Sequence, residues 1–182
     1  MPGPVVIVQY NPRWPALFQD ERGRILKATG DLVIAVEHIG STAVPDLGGK
    51  NILDIMGGVR RLADAEQCVE SLAGIGYEYV PEYNEIIPDR RYFHKGPPKA
   101  RLFHLHMVEY PSDFWTKHLL FRDWLRSHPE DAHEYYQLKR ELAERFGTDR
   151  EGYTDAKTSF IESIVARAQG RTESHHLETG RG

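Results

Sequence analysis

The chain has 182 residues and a mass of 20.9 kDa, with 40% apolar side chains and a formal net charge of −4 from 23 basic and 27 acidic residues. That length and composition fit one domain with a core of its own, and the acidic balance excludes an extended nucleic-acid surface while leaving room for a local basic pocket. The single cysteine, Cys68, excludes an internal disulfide and points to a reducing compartment; no basic-led apolar leader and no run near the roughly 18 apolar residues of a membrane span is present, so a cytoplasmic location away from membranes is expected.

VVIVQY, 5–10, reads as a short strand turned by Asn11-Pro12. Trp14, Leu17, Phe18, Ile25 and Leu26 recur on a helical period, which predicts a helix from Trp14 to about Thr29 with Pro15 in its first turn. LVIAVEHI, 32–39, predicts a strand with Val33, Ala35 and Glu37 on one face and Val36 and His38 on the other. NILDIM, 51–56, predicts another, with Asp54 on the face of Ile52 and Met56. A helix follows over 61–73, stopped by Gly74 and Gly76. Strands are expected at 77–80 and 90–95 with a loop between them. RLFHLHMVEY, 101–110, alternates well and sends Leu102, His104, His106 and Val108 one way and Phe103, Leu105 and Met107 the other.

The last third reads as helical: Asp113 to about Ser127 capped by Ser112, 130 to about 145 after Pro129, and DAKTSFIESIVARAQ. From Gly170 the chain is polar and aperiodic, so 170–182 is expected to be a disordered tail and 1–169 one domain. Strand and helix pairs followed by hairpin-length gaps predict an α/β (α+β) fold, a mixed sheet flanked by helices with a C-terminal helical segment. Neither a Gly-x-Gly-x-x-Gly after the first strand nor a Gly-Lys-Ser/Thr loop is present, which weighs against dinucleotide-binding and P-loop folds.

Three features carry chemistry. Gly40-Ser41-Thr42 follows a strand directly, offers hydroxyls and backbone amides to a phosphate, and has Lys50 nearby to neutralise it; a plain capped turn is the alternative. Asp54 lies inside an apolar strand, where an unpaired carboxylate costs several kcal/mol, so it either pairs with an arginine or holds a divalent ion. His104 and His106 share a strand face and can join Asp54 as a one-carboxylate, two-histidine metal set, bind phosphate, act as base, or serve structurally. His38 is a further polar candidate, Glu37 is expected to face away from the turn, and His94 is expected on a solvated rim. Arg90, Arg91, Lys95 and Arg101 form a basic cluster that clamps an anion if its hairpin folds over the turn, or else is a solvated face; Arg122 and Lys157 are candidate anion contacts from the helices.

EHIGSTAVPDLGGKNILDI resembles the signature of the GrpB-like family within the nucleotidyltransferase fold superfamily. PDRRYFHKG, LFHLHMVEYPSDFW and YTDAKTSFIESIV resemble it as well, so the likeness spans roughly 5–168. The resemblance implies a Gly-Ser turn (Gly40, Ser41) beside a nucleotide's phosphates and strand carboxylates around magnesium, with Asp54 as the first of them. The alternating partner is Met56, which is a poor magnesium ligand, and the later strand carries His104 and His106. Domains of this kind also occur fused to a dephospho-coenzyme A kinase, a half not expected among these 182 residues, so coenzyme A chemistry is not carried over.

Three functions stay open beside a purely structural or interaction role. One is metal-assisted nucleotidyl transfer to an unknown acceptor. In it Gly40, Ser41, Thr42, Lys50 and Arg91 bind the nucleotide, Asp54 binds the metal, and His104 or His106 ligates or deprotonates. Another is non-catalytic binding of a nucleotide or phosphometabolite. The third is a single-metal enzyme, such as a hydrolase, on Asp54, His104 and His106. Magnesium or manganese ranks above zinc as the divalent metal, with zinc, manganese or iron the ions for the set of one carboxylate and two histidines.

Overall fold

An apolar stripe of Trp14, Phe18 and Ile25 turns helix α1, Trp14–Thr29, onto the sheet, with Pro15 at its start and Gly30 at its end. The structure, a computed structural model, describes residues 4–98 and 100–179. In chain order there follow β1 (Val33–Ile39), β2 (Leu53–Val59), α2 (Leu62–Gln67), α3 (Val69–Ala73), β3 (Tyr77–Tyr79), α4 (Tyr83–Ile86), β4 (Arg90–Lys95) and β5 (Phe103–Glu109). The chain then continues as α5 (Asp113–Ser127), α6 (Pro129–Phe146), α7 (Arg150–Asp155) and α8 (Thr158–Thr179). The strands make one five-stranded sheet in the order β1-β2-β5-β4-β3. Only β2 and β5 run parallel; the other neighbours are antiparallel. The expected mixed sheet with flanking helices and a helical C-terminal segment is the fold observed.

The two sheet faces pack differently. Leu53, Ile55, Leu105 and Met107 meet α1 and α3 on one face. On the other, Ile39, Met56 and Val108 lie beneath Trp115 of α5. A second core, with Phe121, Trp124, Tyr135 and Ile164, ties α5, α6 and α8 together over the loop that carries Val44 and Leu47. Helix α5 covers the far ends of β2 and β5. Their first residues stay open on that face, and α6 and α7 stand across the gap. Among the described residues no helix is long and apolar enough to cross a membrane.

Four expectations change. The segment 5–10 is not a strand: it makes one antiparallel bridge, Val8 to Gly49, and Val5 packs with Leu142 and Tyr153 instead. Its β-branched residues found a half-buried surface on helices, and strand propensity measures that kind of fit. The register of β1 steps from Val33↔Val59 to Ala35↔Gly58, a bulge at Ile34, so Val33 joins Val36 on the α1 face while Ala35 lies opposite. The helix expected over 61–73 breaks at Cys68 into α2 and α3. The backbone of α8 stays helical through Thr179, past the expected boundary at 169, because TESHHLET holds neither glycine nor proline to break the ladder. The rest of the expected tail, 180–182, lies outside the described residues.

Candidate functional site

Gly40 ends β1 in a conformation open to glycine, φ 72° and ψ −170°, and starts a single 3-10 turn over Ser41–Ala43. The close turn brings its backbone against Asp54: a Cβ at Gly40 would lie 2.9 Å from Asp54 Oδ2. Farther along the loop, a Cβ at Gly48 would collide with the Val8 carbonyl, so the chain reaches Lys50 only with glycine there.

Asp54, His104 and His106 face one side of the sheet, as their alternation requires. The parallel register sets Asp54 beside His104 and Met56 beside His106. His104 Nδ1 lies 3.2 Å and His106 Nε2 3.5 Å from the same oxygen, Asp54 Oδ1. Burial works against the carboxylate, yet the hydrogen bonds of the two histidines outweigh it and hold its carboxyl well below the usual range. Burial pushes His106 down to about 4 in spite of Asp54. Each of the three offers a ligand atom within 4.8 Å of the others, the spacing of a candidate metal site.

Beside this trio opens a cavity of about 300 Å³. Gly40, Ser41, Thr42 and Asp54 border it from the sheet side, and three lysines reach it from separate segments: Lys50 from the loop before β2, Lys139 from α6 and Lys157 from the junction of α7 and α8. Lys139 Nζ donates to Ser41 Oγ at 2.8 Å and to the Gly48 carbonyl. Lys50 and Lys157 place their ammonium groups 4.5 and 4.3 Å from the ring centre of buried Tyr153. Burial, then the charge of Lys157, pushes Lys139 down to about 7. Burial, then Lys50, pushes Lys157 down to about 8. Burial, then Arg150, lowers Lys50 as well. Among the described residues none of the three forms an ion pair with a carboxylate.

Other expected residues lie elsewhere. Arg91 points to the opposite face of the sheet, pairs with Glu66 at 2.7 Å and does not border the cavity, since residues alternate along β4. Lys95 likewise turns to Glu21 at 2.6 Å beneath α1, and Arg101 donates to the Gly96 carbonyl, so the basic hairpin does not fold over the turn. His38 faces the α1 side, where its Nε2 meets Thr42 Oγ1 at 2.8 Å and its ring stacks on Phe18. Glu37 is the residue on the Asp54 face, held by Arg122 at 2.6 Å; with Asp123 and the His38 carbonyl this engages Arg122 fully and keeps it off the cavity. His94 sits opposite His104 in the register with a half-buried side chain, not on a rim.

Two residues at the site have places that the sequence reading does not give them: Lys139 is given no role, and Arg90 is placed only in the basic cluster. Lys139 follows Tyr135 by four and precedes Leu142 by three, so it occupies the buried stripe of its helix, and a lysine there needs a partner. Arg90 is buried, and its Nη1 meets His106 Nδ1 at 3.2 Å. Met56, in the place of a second carboxylate, is sealed under Trp115. A two-ion centre therefore does not fit these residues.

The sheet order, the Gly-Ser turn beside a strand aspartate and the helical cap define a nucleotidyltransferase-like fold. Two structures of terminal uridylyl transferase 4 from Trypanosoma brucei, with bound CTP or UTP, share it. Their TM-score is 0.51 at 11% and 15% identity, over 90% and 91% of this chain and 52% and 53% of theirs. The GrpB protein family matches residues 4–167, and the chain belongs to that family. The crystal structure of the conserved protein GrpB from Enterococcus faecalis superposes with a TM-score of 0.82 at 32% identity, covering 92% of this chain and 99% of that one. A UPF0157 protein of Pseudomonas aeruginosa is 36% identical over 97% of this chain and 72% of its own length. A dephospho-CoA kinase of Mycolicibacterium paratuberculosis is 31% identical over 91% of this chain but only 46% of that protein, so the chain spans about half of it.

Proposed function

We propose that the chain binds a phosphorylated small molecule of the nucleotide class in the lysine-lined cavity. The observation that carries this reading is the convergence of Lys50, Lys139 and Lys157 on one hollow, where the salt bridges of the described residues include none to these ammonium groups. Holding three cations together out of water is costly, and an anion that bonds to all of them offsets that cost. Ser41 and the backbone of its turn add donors of the kind phosphate oxygens accept. Any magnesium or manganese comes with the phosphates in this reading, and Asp54 Oδ2, which faces Gly40 while Oδ1 serves the two histidines, is the oxygen left to meet it. The uridylyl transferase structures carry CTP and UTP, which makes pyrimidine nucleotides the first ligands to try. A cytoplasmic protein with one buried thiol suits this role.

Transfer of the nucleotide to an acceptor would be a further step, and it lacks the second carboxylate. A single-metal enzyme on Asp54, His104 and His106 is the second reading, favoured by the mutual reach of their ligand atoms and opposed by the Arg90 guanidinium on His106 Nδ1. Isothermal titration calorimetry with inorganic phosphate, pyrophosphate, UTP and CTP, with and without magnesium, tests the proposal. Binding should weaken by about ten- to a hundredfold in Lys157→Met, since a charge-assisted hydrogen bond contributes about 1.5–3 kcal/mol. Absence of heat with all four compounds, or equal affinity in Lys157→Met, would overturn it.

A further inference from the structure

We infer that Arg90 fixes His106 as a hydrogen-bond donor to Asp54, and thereby keeps Asp54, His104 and His106 from acting as a stand-alone transition-metal site. A guanidinium carries only N–H groups and stays protonated in proteins. With Arg90 Nη1 at 3.2 Å, His106 Nδ1 must present its lone pair. The single proton of the neutral ring is then on Nε2, aimed at Asp54 Oδ1 at 3.5 Å. A doubly protonated ring would set N–H against N–H.

A metal-bound histidine has the reverse polarity. One nitrogen gives its lone pair to the ion, and the other donates its N–H to a carboxylate, a carbonyl or water. For His106 Nε2 to ligate, its proton would have to move to Nδ1, where Arg90 offers another N–H. Ligation through Nδ1 would require Arg90 itself to leave, and Arg90 is buried with its guanidinium 5.1 Å from the ring centre of Tyr92 and 5.8 Å from that of Tyr83. Its positive charge also repels a cation at this spot. His106 is therefore a positioning residue. Together with His104 it holds Asp54 Oδ1 in place and leaves Oδ2 toward the Gly40 turn.

The inference goes beyond the phosphate reading, and its test contains no phosphate, so either can fail alone. Cobalt(II) is titrated into the full chain in phosphate-free buffer and followed by visible ligand-field absorption. Wild type should give no spectrum of a histidine-ligated ion. Arg90→Gln, whose amide oxygen can accept from Nδ1–H, should gain at least about tenfold in cobalt affinity, and Arg90→Gln combined with His106→Ala should lose that gain. A stoichiometric spectrum in wild type that disappears in His106→Ala would overturn the inference, as would a folded Arg90→Gln with no gain. If Arg90→Gln does not fold, the nitrogen-15 shifts of His106 in wild type decide: protonation at Nε2 supports the inference and protonation at Nδ1 refutes it.

Discussion

Replacing Lys139 with methionine should remove one share of a pH dependence that the wild-type protein carries in its stability, the remainder coming from Lys50 and Lys157. The Lys139 ammonium is buried at 2% exposure, and burial followed by the charge of Lys157 lowers it from 10.5 to about 7. Between those values the unfolded chain binds more protons than the native one. The stability slope is then positive, so stability climbs as pH rises from the native value toward the unfolded one. From pH of about 7 to about 9, native Lys139 goes from roughly half protonated to almost none, while the unfolded lysine stays charged. At about 1.4 kcal/mol per unit of pH and per proton, that integrates to a gain of about 2 kcal/mol. Urea unfolding in phosphate-free buffer across that range measures it, and Lys139→Met should show a flatter profile by that amount. A bound phosphate acts in the opposite direction: it favours the protonated lysine, so its affinity should fall over the same interval and saturating phosphate should shrink the slope. Wild-type stability that is level or falling, or an equal slope in Lys139→Met, would refute the reasoning.

Gly40→Ala places a Cβ at φ 72° and 2.9 Å from Asp54 Oδ2. The backbone strain alone is of order 1–3 kcal/mol, and at about 2–4 °C per kcal/mol for a chain of this size a thermal melt should show the loss; an unchanged midpoint would remove the argument for a glycine-only turn. His38, pushed down to about 4 by burial above all, is neutral in the native state and charged in the unfolded state as pH falls from about 6.5. Stability should therefore drop through that acid interval, and His38→Gln, which can keep a hydrogen bond to Thr42, should lessen the drop; an identical acid limb in the variant would show that the ring is not buried as a neutral group.

What the sequence made legible followed from the stiffest periodicity. Side chains along a strand alternate without exception unless a bulge intervenes, so Asp54, His104 and His106 could be assigned to one face each on its own strand, and the register Asp54↔His104 did the rest. The same rule separates Arg90 from Arg91. Counting back from His94, the partner of His104, puts Tyr92 and Arg90 on the site's face and Arg91 on the other. A basic cluster read by composition hid that distinction. The bulge at Ile34 shifted Val33 for a reason no local pattern announces, because it depends on how β1 meets β2. Lys139 was visible as a polar residue in an apolar stripe, but the surface that stripe would meet was not, since helix packing is settled by long-range contacts.

The cavity joins two sets of groups with different supports. Its acid and imidazole, Asp54 and His104, stand on β2 and β5 beside His106 and Arg90, whereas Lys139 and Lys157 come from the helical half and rest on Tyr135 and Tyr153. Lys50, in the connecting loop, leans on the helical half through Tyr153. A ligand whose phosphates engage the lysines would thus hold the helical half against the sheet as well as occupy the site. The two halves already meet through Trp115 over Ile39, Met56 and Val108 and through Arg122 on Glu37, so the ligand would add a second tie on the side of α6 and α7. Lysine substitutions should then weaken both binding and ligand-induced protection of α6 and α7 in hydrogen exchange. Asp54→Asn, which leaves the lysines and their supports in place, should preserve that protection. Loss of protection in Asp54→Asn equal to that in Lys157→Met would mean that the sheet groups, not the lysines, carry the contact between the halves.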